Sequence, residues 1–301
     1  MTQVPSFGRF TLTLAAVVVA LCPLSVAARG GSEDMEGDKR FAASGGARVH
    51  YRSFGKGEEA VVFVHGWTCD WTFWRAQIPA FSKNVRVIAL DLPGHGESER
   101  PAEKSAYTMD SFARAVEAVM RDAKVRRAVL VGHSMGAPVV RQFYRLFPEK
   151  AAGLVFVDGA LWSLVPPAMA DQILGSMRAD YEKVRGPMLE GMLRPMRSDA
   201  ERERVRAAMT RTPAHVAVAA MEGMMDEANW KEDAIKVPAL VVLARSPFWP
   251  ADAEQRFRRL APELDFLMWD GVSHFLMMDR PAEFNLALST FIGGRKLLPR
   301  K

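Results

Sequence analysis

Ser134 sits in Gly132-His133-Ser134-Met135-Gly136, behind the apolar run Ala128 to Val131 and ahead of Ala137 to Phe147, a stretch that can wind as a helix. A serine hydroxyl is a weak nucleophile until it is held exposed beside a base, and a strand that breaks sharply into a helix provides such a mounting. The glycines at 132 and 136 omit β-carbons that would collide in so tight a bend. Ser134 is the candidate nucleophile; the plainer alternative is a structural glycine turn. The base has a candidate in His274, which follows the apolar run Leu264 to Trp269 through Asp270-Gly271-Val272-Ser273. An imidazole, titrating near about 6.5, can take the serine proton and return it to a leaving group. The other five histidines have structural readings. His65, His95 and His133 lie in glycine turns, His50 in a strand and His215 in a helical stretch, and no pair has the helical spacing of a metal site, so no metal is expected.

These groups need a frame that brings residues 140 positions apart together. Short apolar runs at Ala60 to Val64, Val85 to Leu90, Ala128 to Val131, Leu154 to Val157, Ala239 to Leu243 and Leu264 to Trp269 read as buried strands. Helical stretches separate most of them. Met109 to Asp122 places Phe112, Ala115, Val116 and Val119 on one face at i, i+3, i+4 and i+7. Strand, helix, strand order implies right-handed crossovers and a mainly parallel sheet covered on both faces, with ligands gathering at the carboxyl ends of the strands. Phe41 to Ala43 and Val49 to Phe54, joined through Ser44-Gly45-Gly46, read as an opening hairpin at the sheet edge.

The chain has 301 residues, 49% of them hydrophobic and 25% charged, which excludes a disordered or fibrous protein. The net charge of +5 is scattered, so no nucleic-acid partner is expected. Cys22 and Cys69 are too few for a disulfide framework. Arg9, the apolar Phe10 to Leu21 and the small residues Ser25-Val26-Ala27 read as a secretory signal over residues 1–27, cleaved after Ala27 to leave a charge of 5 − 1 = +4. A retained membrane anchor is the rival, and a lipoprotein signal at Cys22 is weakened by the bulky Leu21 before it. After cleavage no stable membrane span is expected. Residues 28–38 read as a flexible leader.

Four motifs in order, Val64-His65-Gly66-Trp67, Asp91-Leu92-Pro93-Gly94-His95-Gly96-Glu97-Ser98, the Ser134 elbow and Gly271-Val272-Ser273-His274-Phe275, make the chain resemble the α/β-hydrolase superfamily over about Phe41 to Ile292. The resemblance implies an α/β fold with an eight-stranded, mainly parallel sheet, the core split into 39–159 and 235–301 by a helical lid at 160–234, and the chain order serine, acid, histidine. By family position the backbone N–H groups of Trp67 and Met135 form an oxyanion hole, with both side chains lining the acyl pocket. Asp91 and His95 belong to the superfamily's turn motif and are expected to fix a loop.

The acid departs from the family pattern. Superfamily members commonly carry an aspartate shortly after the strand that here is Ala239 to Leu243, yet Ala244-Arg245-Ser246-Pro247-Phe248-Trp249-Pro250 follows, with no carboxylate before Asp252. Some relatives place the acid after the preceding strand, where this chain has Asp158-Gly159-Ala160. Asp158 is the favoured acid, Asp252 the alternative, and a chain without an effective acid the third option.

Within the lid, Ser198-Asp199-Ala200-Glu201 reads as a capping box and Thr212-Pro213 as a cap with a first-turn proline. The lid holds nine of the 17 methionines. Most are expected to pack in the core, while Trp162, Met221, Met224 and Met225 are the candidates for an apolar substrate pocket. Together these features imply a carboxylesterase-like serine hydrolase without a cofactor, acting on small or medium esters with an apolar part. Lactones, carbon–carbon cleavage substrates and a non-catalytic ligand-binding homologue are the alternatives. A serine nucleophile argues against epoxide hydrolase chemistry, which uses an aspartate there.

Overall fold

Eight strands form one sheet in the order β1-β2-β4-β3-β5-β6-β7-β8. The computed structural model describes Met1 and residues 37–299; the signal expected over 1–27, and all but the end of the leader, lie outside these. The leader's last residue already belongs to the sheet, because β1 (Asp38–Ser44) pairs antiparallel with β2 (Ala47–Phe54), from Asp38 opposite Ser53 to Ser44 opposite Ala47. The hairpin bend falls on Gly45 and Gly46, both at positive φ, and β1 is the edge strand, as the pattern predicts.

From there the sheet turns parallel. β3 (Glu59–Val64) lies between β4 (Arg86–Leu90) and β5 (Arg127–His133), followed outward by β6 (Ala151–Val157), β7 (Ala239–Ala244) and β8 (Leu264–Trp269). β2 runs antiparallel to both of its neighbours, β1 and β4. β6 and β7 are buried along their whole length. Continuous apolar runs are what a sheet covered on both faces requires.

Helices provide the cover. The short α1 (Ile78–Ser82) joins β3 to β4, and α2 (Met109–Asp122) joins β4 to β5. The expected face of α2, Phe112, Ala115, Val116 and Val119, is fully buried, each large side chain contributing about 1.5–3 kcal/mol. Its start is set by Thr108, whose hydroxyl accepts from the Ser111 amide. α3 (Gly136–Leu146) follows β5. Between β6 and β7 the chain leaves the sheet for four helices, α4 (Pro167–Ala179), α5 (Tyr181–Leu193), α6 (Asp199–Met209) and α7 (Ala214–Met225). α8 (Ala253–Leu260), α9 (Leu276–Asp279) and α10 (Pro281–Gly294) complete the layer.

The two cap motifs fare differently. Ser198 accepts from the Glu201 amide at the start of α6, while the Glu201 carboxylate turns to Arg75 and Arg204 instead of back to the cap. Thr212 does not cap α7. Pro213 holds the cap position without a side-chain bond, and the Thr212 hydroxyl donates to the Thr68 carbonyl at 3.2 Å, tying the helical segment to the loop after β3. Arg211 adds to that tie with a 2.7 Å ion pair to the buried Asp70. Among the described residues no helix is long and apolar enough to cross a membrane.

Candidate active site

β5 ends at His133, and the next residue turns the chain. Ser134 has φ +53°, a left-handed conformation that a non-glycine residue adopts at a cost. Two close approaches make the bend feasible: a β-carbon on Gly132 would lie 2.2 Å from the Gly136 carbonyl oxygen, and one on Gly136 would lie 2.5 Å from that of Val64. The Ser134 amide donates to the Val157 carbonyl at 2.9 Å, so the bend is tied to the end of β6. Ser134 remains partly exposed between buried neighbours.

The next residue along β6 is Asp158, also at positive φ (+43°). Its amide continues the ladder to Val242 in β7 at 2.9 Å, and the turned backbone carries its carboxylate over the end of β7. Oδ2 accepts from His274 Nδ1 at 2.7 Å, while Oδ1 accepts from the Ala244 amide at 2.8 Å and the Trp249 indole at 3.2 Å. Three donors converge on a carboxylate that is 8% exposed, an arrangement that fixes it in direction. Asp252 lies elsewhere: it stands before α8, 41% exposed, and pairs with Arg256 at 3.0 Å.

His274 is 23% exposed, and with Nδ1 facing Asp158 its Nε2 is left for the cavity. The loop that carries it is fastened at three points. The Ser273 amide donates to Asp279, the Phe275 amide to the Ser273 hydroxyl, and His133 Nε2 donates to the His274 carbonyl at 2.8 Å. Burial pushes His133 well below the usual histidine pKa, so it is a neutral donor. Among the described residues no hydrogen bond joins Ser134 to His274, but both face one cavity of about 320 Å³. Catalytic contacts in unliganded sites often tighten only around substrate.

Asp158, Trp162, Met224 and Met225 also line that cavity, while Met221 is buried outside its lining. Met192, Trp230, Phe248 and Trp249 line it too, and sequence patterns did not single them out. Phe248 is 78% exposed, at the mouth. A signal was available, because two aromatic residues between Pro247 and Pro250 are unusual for a plain surface loop. Among the described residues, Asp158 and His274 are the only acidic or basic side chains in the lining.

Trp67 and Met135 are next to the elbow. A β-carbon on Gly66 would sit 3.0 Å from the Ser134 β-carbon, which puts the chain at 66 and 67 against the serine. Among the described residues neither the Trp67 nor the Met135 amide donates a hydrogen bond within the chain. Their side chains do not line the cavity as expected. Met135 is fully buried, and the Trp67 indole donates to the Ala217 carbonyl of α7 at 2.7 Å, edge-on to Tyr181. His50, His65 and His95 are fully buried in local hydrogen bonds. Asp91 accepts from His50 and from the amides of Trp71 and Glu97, while His65 accepts from the Leu92 amide.

A profile of the alpha/beta hydrolase fold matches residues 59–281. The chain belongs to that family. It is similar to the dihydrolipoyllysine-residue acetyltransferase component of the acetoin cleaving system of Pseudomonas putida, 28% identical over 88% of this chain and 72% of that protein. It is also similar to a 2-hydroxy-6-oxononadienedioate/2-hydroxy-6-oxononatrienedioate hydrolase of Paraburkholderia phymatum, 27% identical over 82% of this chain and 91% of that one. The likeness to mouse epoxide hydrolase 4 is 31% over 38% of this chain, and spans only 32% of that protein's length. A thermophilic esterase from Thermogutta terrifontis superposes with a TM-score of 0.75 over 86% of this chain and 99% of that one, at 22% identity, a likeness of fold.

Proposed function

We propose that this hydrolase-fold protein is a serine esterase working through an acyl-enzyme on Ser134, with His274 as general base, Asp158 as its orienting acid and the Trp67 and Met135 amides as the oxyanion hole. The observation that carries the reading is the Asp158–His274 hydrogen bond of 2.7 Å opening onto the cavity that holds the elbow serine. Ser134 Oγ attacks the acyl carbon as His274 Nε2 takes its proton, and negative charge moves to the carbonyl oxygen between the two amides. Collapse expels the alcohol, which leaves with the proton held by His274. Water then attacks the acyl-enzyme by the same proton route, releasing the acid and restoring the serine hydroxyl.

The cavity lining narrows the substrate. Among the described residues, apart from Asp158 and His274 it is formed by apolar and uncharged side chains, so a substrate carboxylate would be buried opposite Asp158 with no cationic partner among them. Neutral esters and lactones suit this lining, whereas the dioate acted on by the Paraburkholderia phymatum relative does not. Epoxide opening through an alkyl-ester intermediate needs a carboxylate where this chain has Ser134. The four helices between β6 and β7 act as the lid, with Met192, Met224 and Met225 giving an adaptable apolar wall. Export of the chain, to the periplasm or outside the cell, and the absence of a cofactor complete the proposal. Purified protein is tested on p-nitrophenyl esters from acetate to octanoate, a neutral lactone, an aryl epoxide and a carboxylate-bearing dienone. Turnover of the neutral acyl substrates is expected; turnover of the epoxide or the dienone alone would overturn the reading.

A further inference from the structure

Asp158 reaches His274 from the end of β6, while its second oxygen is held from the end of β7. One of the two donors to that oxygen, the Ala244 amide, is backbone and present whatever the side chain. The other is the indole N–H of Trp249, 3.2 Å from Oδ1 and 91 residues distant along the chain. Trp249 is braced: its ring stands edge-on to Trp162 at 6.3 Å and 6.2 Å from Phe257, which is fully buried against β6 residue Phe156. The same ring lines the cavity.

We propose that Trp249 is a positioning residue for the acid: its indole N–H fixes the Asp158 carboxylate so that Oδ2 faces His274, while its ring forms one wall of the substrate pocket. The proposal rests on Asp158 being the acid. A carboxylate on a turned backbone at φ +43° has side-chain rotation available, and two donors on one oxygen remove it. The loop from 245 to 250, which carries no acid, thus supports one that sits on the neighbouring strand.

Losing the indole donor frees the carboxylate to rotate away from His274, which loosens the Asp158–His274 hydrogen bond and so acts on kcat more than on substrate binding. Other groups near the pair do not change with the substitution. His133 faces the His274 ring at 4.7 Å and is held neutral by burial, Asp279 is committed to the Ser273 amide, Arg245 pairs with Asp270, and Arg197 and Arg280 lie beside Gly271.

The test is Trp249→Phe, which keeps an aromatic wall and removes the N–H, with kcat normalised to sites titrated by a fluorophosphonate. The expected result is a kcat about tenfold lower, with KM changed less than kcat. Trp249→His is the second variant, because imidazole Nε2 has the same place in its five-membered ring as the indole nitrogen; at pH 8, where it is neutral, it should recover more of kcat than the Phe variant. A change in KM alone, with kcat intact, would overturn the proposal and leave Trp249 a pocket wall. Asp158→Asn, run beside them, separates the two levels: a large loss of kcat there with a silent Trp249→Phe defeats only the positioning role, whereas normal kcat in Asp158→Asn defeats the triad reading beneath it.

Discussion

The ends of β6 and β7 lie side by side and are built in opposite ways. β6 ends in a turned, buried Asp158 whose carboxylate takes three hydrogen bonds, followed by a glycine packed on the elbow. β7 ends in Ala244 and an exposed Arg245 paired with Asp270, and contributes a backbone amide and an indole. The two strands are in register, Val157 opposite Val242, so a carboxylate that leaves β6 and leans one strand over reaches the end of β7, where the Ala244 amide holds it. What chemistry needs is a carboxylate at a point in space, and the sheet offers more than one strand from which to reach it.

The largest effect that could break this comparison is on turnover. Asp158→Asn should lower kcat by about three to four decades, as expected when the histidine loses its orienting anion, while Asp252→Asn, which only breaks an exposed pair with Arg256, should stay within about twofold. Ester kinetics on titrated enzyme decide it. Loss of kcat in the Asp252 variant alone would return the acid to the β7 loop.

The next effects concern stability. Buried imidazoles lie beneath the β3 to β5 side of the site, with His65 lowered to about 4 and His95 to about 3, chiefly by burial. The unfolded chain takes up these protons near about 6.5, the folded protein only at the depressed values, so stability is full above that point and falls as pH drops through the window. The slope is about 1.4 kcal/mol per pH unit for each histidine inside it. Urea unfolding at pH 7.5 and 5.5 checks this; equal stabilities would contradict it. Gly159→Ala should cost about 1–3 kcal/mol, because the added β-carbon would meet Ala137 Cβ at 2.4 Å and the Ser134 carbonyl oxygen at 2.6 Å. Its counterpart at the end of β7 should matter least. Arg245→Ala removes an ion pair whose partners are 60% and 74% exposed, and its change in Tm should be barely measurable.

How far the site could be read from the chain follows from the same contrast. The strands, the α2 face and the elbow are written in neighbouring residues, so apolar runs, helical spacing and a pair of glycines were enough to locate them. Asp158 was reachable by its address at a strand end, although its contact with His274, and the pairing of Asp252 with Arg256 instead, emerged only from the fold. Trp249 is not legible in the sequence, because its part depends on a contact with a residue 91 positions away. Thr212 misled for a related reason: local spacing favours a cap, but the loop after β3 offered its hydroxyl a carbonyl. The Trp67 side chain likewise left the pocket for α7, since an indole N–H in a buried setting goes to the acceptor it can reach.

The central claim, a serine acyl-enzyme served by a base that β6 orients, has a direct measurement. Enzyme mixed with a p-nitrophenyl ester, quenched within the first turnover and digested for mass spectrometry, should carry the acyl group on the peptide containing Ser134, with a matching burst of nitrophenol. An acyl group on Asp158 or any other residue, or steady turnover with neither burst nor adduct under conditions where the ester saturates the enzyme and deacylation has been slowed, would contradict the account.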